Sequence, residues 1–132
     1  VHWVVDGMNL IGSRPDGWWR DRPAARVRLV EELAGLAART GDRVTVVFDG
    51  RPGAGEDPAP SDRGVTVSFA PGGPDAADDV IAALVGRPDH LPGLRVVTSD
   101  AGLSRRVRSV GVPVTGVSAF RDLLDRSALD GS

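Results

Sequence analysis

Short apolar runs alternate along this chain with longer segments of helical spacing. The first run, Trp3-Val4-Val5, stops at Asp6 and is followed by Gly7 and Asn9, the pattern of a core strand emerging into a tight turn. Arg43 to Phe48 reads as a second strand, ending at Asp49-Gly50. Val65 to Phe69 is a third, whose partial alternation of apolar and hydroxyl side chains suits a sheet edge. Leu94 to Val97 is a fourth, running into Thr98-Ser99-Asp100, and residues 112–117 make a short fifth.

Helical spacing fills the intervals. Val27, Val30, Leu33, Ala34 and Ala37 predict a helix from a start near Asp21-Arg22-Pro23 to Thr40, with Asp21 as cap and Gly41 as stop. Asp75 starts a second helix, with Val80, Ile81, Leu84 and Val85 as its apolar stripe. A third is expected from Leu103 to Val110, closed by Gly111, and a last one, capped by Ser118, carries Phe120, Leu123 and Leu124. The stretches around Pro15-Asp16-Gly17 and from Arg51 to Gly64 are surface loops, and Pro71 to Pro74 breaks the chain. Strand-helix alternation of this kind predicts an α/β fold with a mostly parallel sheet covered by helices, joined by right-handed crossovers. Neither an internal repeat nor a linker is visible, so one domain over residues 1–132 is the expectation.

Composition narrows the chemistry. There is no cysteine, which excludes thiol catalysis, zinc-thiolate sites and a disulfide scaffold, and is compatible with a reducing compartment. No stretch approaches the roughly 20 apolar residues of a membrane span, and no secretory leader is visible, so a cytoplasmic location without a membrane partner is expected. The net charge of -2 argues against a strongly basic nucleic-acid binder, but its distribution is uneven. Residues 1–28 and 101–132 each carry five Arg against three acids, while residues 29–100 carry six Arg against twelve acids.

Those acids stand at telling places. Asp6 and Asn9 follow the first strand, Asp49 ends the second, Asp78 and Asp79 lie in the first turns of the second helix, and Asp100 ends the fourth strand. A parallel sheet brings all strand carboxyl ends to one edge, where the following helices also begin. Each residue also has an ordinary use: Asp6 and Asn9 as turn formers, Asp49 as a strand terminator, Asp100 as a helix cap, and the helix acids as partners of the dipole. Carboxylates gathered away from water repel one another unless a cation compensates. With oxygen donors alone and only His2 and His90, each read as incidental, the natural cation is Mg²⁺ or Mn²⁺. Such an ion suits phosphoryl transfer or phosphodiester hydrolysis.

VVDGMNLIG, VVFDG, AADDVI and VVTSD, in that order, resemble the NYN domains, and within them the YacP-like branch of the PIN-like nucleases. The resemblance covers most of the chain, from about Val4 to Leu124. Met8 stands where the family usually has Tyr, and Ala101 where a charged residue is common. The resemblance implies a three-layer α/β/α sandwich, PIN-like and broadly Rossmann-like, and divalent-metal-dependent cleavage of RNA. It implies catalytic roles for Asp6, Asn9, Asp49, Asp78 and Asp100. Of these, Asp6, Asp78 and Asp100 are expected to hold the ion, with Asp79, Thr98 and Ser99 in support.

RNA, single-stranded or looped, would be held by arginines near that edge: Arg14, Arg20 and Arg22 on one side, Arg105 and Arg106 on the other. Trp18-Trp19 reads as one ring packed inward and one near the mouth, with Trp18 as a candidate for stacking on a base. Two other classes fit the same residues: a metal-dependent phosphatase acting on a small substrate, and a non-catalytic RNA-binding or interaction module. A P-loop NTPase does not fit, because there is neither a GxxxxGK[ST] sequence nor any lysine.

Overall fold

The computed structural model describes residues 1–13, 17–50, 64–73, 76–86 and 93–130. Strand β1 (His2–Asp6) leads into a short helix α1 (Gly7–Ile11), and a single 3₁₀ turn (Trp18–Arg20) precedes the long α2 (Arg22–Thr40). There follow β2 (Arg43–Asp49), β3 (Val65–Ala70), α3 (Ala76–Val85), β4 (Leu94–Val97), α4 (Ala101–Arg108), β5 (Val114–Thr115) and α5 (Val117–Asp130). The five strands form one sheet in the order β3-β2-β1-β4-β5, and every pairing is parallel. The predicted edge position of Val65–Ala70 is the one it occupies.

Two cores sandwich the sheet. On one face Trp3, Val5, Val46 and Phe48 pack under Leu10, Leu29, Leu33 and Phe120 from α1, α2 and α5. On the other, Val4, Val47 and Val96 pack against Ile81, Leu103 and Val107 from α3 and α4. The result is the three-layer α/β/α arrangement that the family resemblance implies.

Several boundaries differ from expectation for local reasons. The turn after Asp6 is a helix of five residues, too short to show a period. Gly7 is required there: a Cβ would come within 2.4 Å of Phe48 Cδ1, so any larger residue would lift α1 off β2. The α2 cap is as expected, with Asp21 accepting from the Ala24 N–H at 3.2 Å and Gly41 closing the helix in the left-handed conformation at φ 77°. Its inward face is shifted, however. Val27 is exposed, while Arg26 is buried and lies over the Phe69 ring. Helix α4 starts at Ala101 instead of Leu103, because Asp100 caps it, and it ends at Arg108. Helix α5 starts at Val117, not after a Ser118 cap, and β5 is only two residues long. The expected helix start at Asp75, the loop over residues 51–63, Arg14 and His90 lie outside the described residues.

Candidate active site

Strand alternation decides which way the acids point. Successive strand side chains face opposite sides, so Asp6, two residues beyond Val4, projects toward α3 and α4. The same parity takes Asp49 from Val47 and Thr98 from Val96 to that side. The carboxyl edge therefore gathers Asp6, Asp49 and Thr98 on the α3–α4 face of the sheet.

Asp6 is the centre of this group and is only 6% exposed. The Thr98 hydroxyl donates to Asp6 Oδ2 at 3.1 Å and accepts from the Asp100 N–H, also at 3.1 Å. One buried hydroxyl thus joins the end of β1 to the turn after β4. Asn9 makes a second tie, its Oδ1 accepting from the Ser99 N–H at 2.8 Å. Ser99 Oγ in turn accepts from the Val117 N–H at 3.0 Å, which sets the start of α5. Asp49 Oδ1 accepts from the Ala77 N–H at 2.9 Å, pinning the first turn of α3, which carries Asp78, to the end of β2. Asp100 is exposed and caps α4 through Oδ1, which accepts from the Leu103 N–H at 2.8 Å.

Burial pushes the Asp6 carboxyl up; the Thr98 hydroxyl draws it back, the charge on Asp78 raises it, the Asn9 N–H lowers it, and Asp49 raises it again. The outcome is a value of about 6 against an ordinary 3.8. A carboxylate in that condition has lost water and is repelled by two neighbouring acids.

These residues fit a hard divalent ion of a particular kind. Among the described residues no three His, Asp or Glu side chains stand together as a ready-made cage. Mg²⁺ does not require one: it keeps several waters and is held by one or two carboxylates together with substrate phosphates. An all-oxygen donor set around Asp6, with Asp78 and Asp49 close enough to raise its pKa, matches that mode.

Asp79 is held in an exposed ion pair with Arg106 at 3.0 Å, bridging α3 and α4. Arg105 is exposed on α4. Trp18 packs against the α1–α2–α5 core, and Trp19, 52% exposed, meets it edge-on with ring centroids 6.0 Å apart. Arg22 lies over Trp18 at 5.4 Å and Arg20 over Trp19 at 5.9 Å. The inward and outward rings are therefore Trp18 and Trp19 respectively. Sequence reasoning did not find the Ser99–Val117 bond or the use of Asp49 as an anchor for α3; both join residues far apart in the chain.

A wholly parallel sheet in the order 3-2-1-4-5, covered on both faces and polar at its carboxyl edge, defines an α/β protein of the PIN-like class. The family profile of the YacP-like NYN domain matches residues 3–130. The chain belongs to that family. It is 36% identical over 103 residues to UPF0178 proteins from three strains of Xanthomonas oryzae pv. oryzae, covering 78% of this chain and 58% of theirs. The chain thus spans a little over half the length of these relatives. Among solved structures it is similar to Rae1 (YacP) from Bacillus subtilis, with a TM-score of 0.75 at 22% identity, over 98% of this chain and 76% of that one. A substituted form of the same protein gives a TM-score of 0.78 at 24% identity, over 98% of this chain and 77% of that one. Family membership supports a function of nuclease type. Among the described residues no helix is long and apolar enough to cross a membrane.

Proposed function

We propose that the domain is a divalent-metal-dependent ribonuclease that hydrolyses phosphodiester bonds, cutting within single-stranded or looped RNA. The observation that carries this reading is the buried Asp6 carboxyl, raised to about 6 beside Asp78 and Asp49. Mg²⁺ or Mn²⁺, when bound, supplies polarisation of the phosphoryl oxygen and a lowered pKa for water. Asp6 and Asp78 are the residues that would hold the ion, with Asp100 contributing the carboxylate oxygen not used in its cap.

The chain's own groups do the rest. Thr98 keeps the Asp6 carboxylate in one orientation and lowers its pKa. Asn9 and Ser99 hold the turn carrying Asp100 at a fixed distance from β1. Asp49 holds the helix start on which Asp78 rides. Arg20, Arg22 and Arg105, with Arg14 and the Asp79-paired Arg106, are assigned to phosphate contacts, which position the strand without reading its sequence. Trp19 is the exposed ring and the better base platform of the pair; Trp18 supports it from below.

The test is cleavage of end-labelled single-stranded RNA with Mn²⁺. Wild type is expected to cut and to stop on adding EDTA, while folded Asp6→Asn and Asp100→Asn lose at least about 100-fold, the usual scale for loss of a transition-state electrostatic partner. Undiminished cleavage by either variant removes that residue from the mechanism, and undiminished cleavage in EDTA removes the metal.

A further inference from the structure

A cavity lies away from the acidic edge, among α1, α2 and α5, with a volume of about 460 Å³. That is room for one nucleoside. Ile11, Ala25 and Leu29 line it with apolar surface that belongs to the core opposite Asp6, and the Trp18 indole supplies an aromatic wall. Its charged lining is Arg28, Glu31, Glu32 and Arg121, of which Glu32 and Arg121 face each other across the α2–α5 seam. Arg121 Nη1 donates to Glu32 Oε2 at 2.7 Å, the arginine side chain being 11% exposed and the glutamate 37%. Arg121 Nε is buried with no hydrogen-bond partner, so the guanidinium is satisfied on its Glu32 side and left incomplete elsewhere.

We propose that this cavity is a guanine pocket, taking one unstacked base of the RNA; it rests on the RNA reading above and names which base that site prefers. A carboxylate pinned by an arginine presents acceptors beside a donor. Of the four RNA bases only guanine offers the matching edge: two adjacent donors, N1–H and the N2 amino group, next to the O6 acceptor. The two donors pair with Glu32, O6 faces Arg121, and the base plane lies on Trp18, the combination of stacking and edge reading used for single-stranded RNA. Adenine puts an amino group where O6 would be, opposite the guanidinium, and its edge lacks the paired donors.

The test uses free guanosine, which has no phosphate to be drawn to the arginines, titrated in EDTA and followed by the indole N–H signals of the three tryptophans. Trp3 is an internal control, because its Nε1–H is already held by Asp42 at 3.1 Å. The expected result is a shift at Trp18 with Trp3 unmoved. Guanosine should bind at least about tenfold tighter than adenosine, with inosine between, since it lacks one donor. Glu32→Gln, checked for an unchanged amide spectrum, is expected to lose that preference. A Trp18 signal unmoved by guanosine, equal binding of adenosine, or a folded Glu32→Gln with unchanged guanosine affinity would each overturn the proposal. If Glu32→Gln does not fold, the comparison of nucleosides on wild type decides alone. Guanosine binding by a cleavage-dead Asp6→Asn variant, together with RNA cleavage by wild type, supports both readings. RNA cleavage without guanosine binding sinks the pocket alone; guanosine binding by a wild type that cuts no RNA sinks the nuclease alone.

Discussion

Replacing Asp6 by Asn is expected to make the metal-free protein more stable while abolishing its activity. The folded carboxyl titrates at about 6, against 3.8 for an ordinary Asp. At roughly 1.4 kcal/mol per pKa unit, the ionised side chain costs the fold about 3 kcal/mol. The sign follows from the raised value. Below about pH 4 the carboxyl is protonated in both states and there is no penalty; as pH rises to about 6 the unfolded chain ionises first, and above that the folded state bears the full cost. Asn removes the charge yet keeps an oxygen that can accept from Thr98, so the bond at 3.1 Å need not be lost.

Urea denaturation in EDTA across that range measures the difference directly. Wild type and Asp6→Asn should be similarly stable near pH 4, and the variant should pull ahead by about 2–3 kcal/mol near pH 8. Adding Mg²⁺ should stabilise wild type and narrow the gap, because an ion bound only by the folded state adds its binding free energy. Equal stability at every pH, or a wild type more stable than the variant near pH 8 in EDTA, would refute a charge-strained Asp6.

Other perturbations separate support from chemistry. Gly7→Ala should destabilise by about 1–3 kcal/mol in the same denaturation assay, since its Cβ overlaps Phe48. Thr98→Val removes the hydroxyl that lowers the Asp6 pKa, so the acid limb of the pH–rate profile should move upward; an unmoved limb would mean that Asp6 does not govern it. Asn9→Ala should cost about 1 kcal/mol through the lost bond to the Ser99 N–H, measured by urea denaturation, and lower cleavage with little change in RNA affinity. Asp79→Ala breaks only an exposed ion pair with Arg106 and should change stability by less than about 1 kcal/mol.

The strand ends were legible because each apolar run stops at an acid, and parallel pairing brings those stops to one edge. Alternation carries the matter further: Val4, Val47 and Val96 share a core, so the polar residues two positions on share a face. Helix phase was harder to read. On α2 the apolar spacing includes Val27, which faces solvent, and omits Arg26, whose guanidinium rests on Phe69; aliphatic stems and ring faces bury charge in ways a hydrophobic pattern does not register. Hydroxyl and carboxylate roles were harder still. Thr98 to Asp6 spans 92 residues and Asp49 to Ala77 spans 28, and nothing local to either side chain announces its partner. The Glu32–Arg121 pair, 89 residues apart, was invisible for the same reason.

Selective ¹³C-carboxyl NMR titration of Asp6, with and without Mg²⁺, bears most directly on the nuclease reading. In EDTA the midpoint should lie near 6. Saturating Mg²⁺ should lower it by about 1–3 units, the usual effect of an opposite charge within contact distance. A midpoint near the ordinary Asp value in EDTA, or one that Mg²⁺ leaves unmoved, would contradict a cation site built on Asp6.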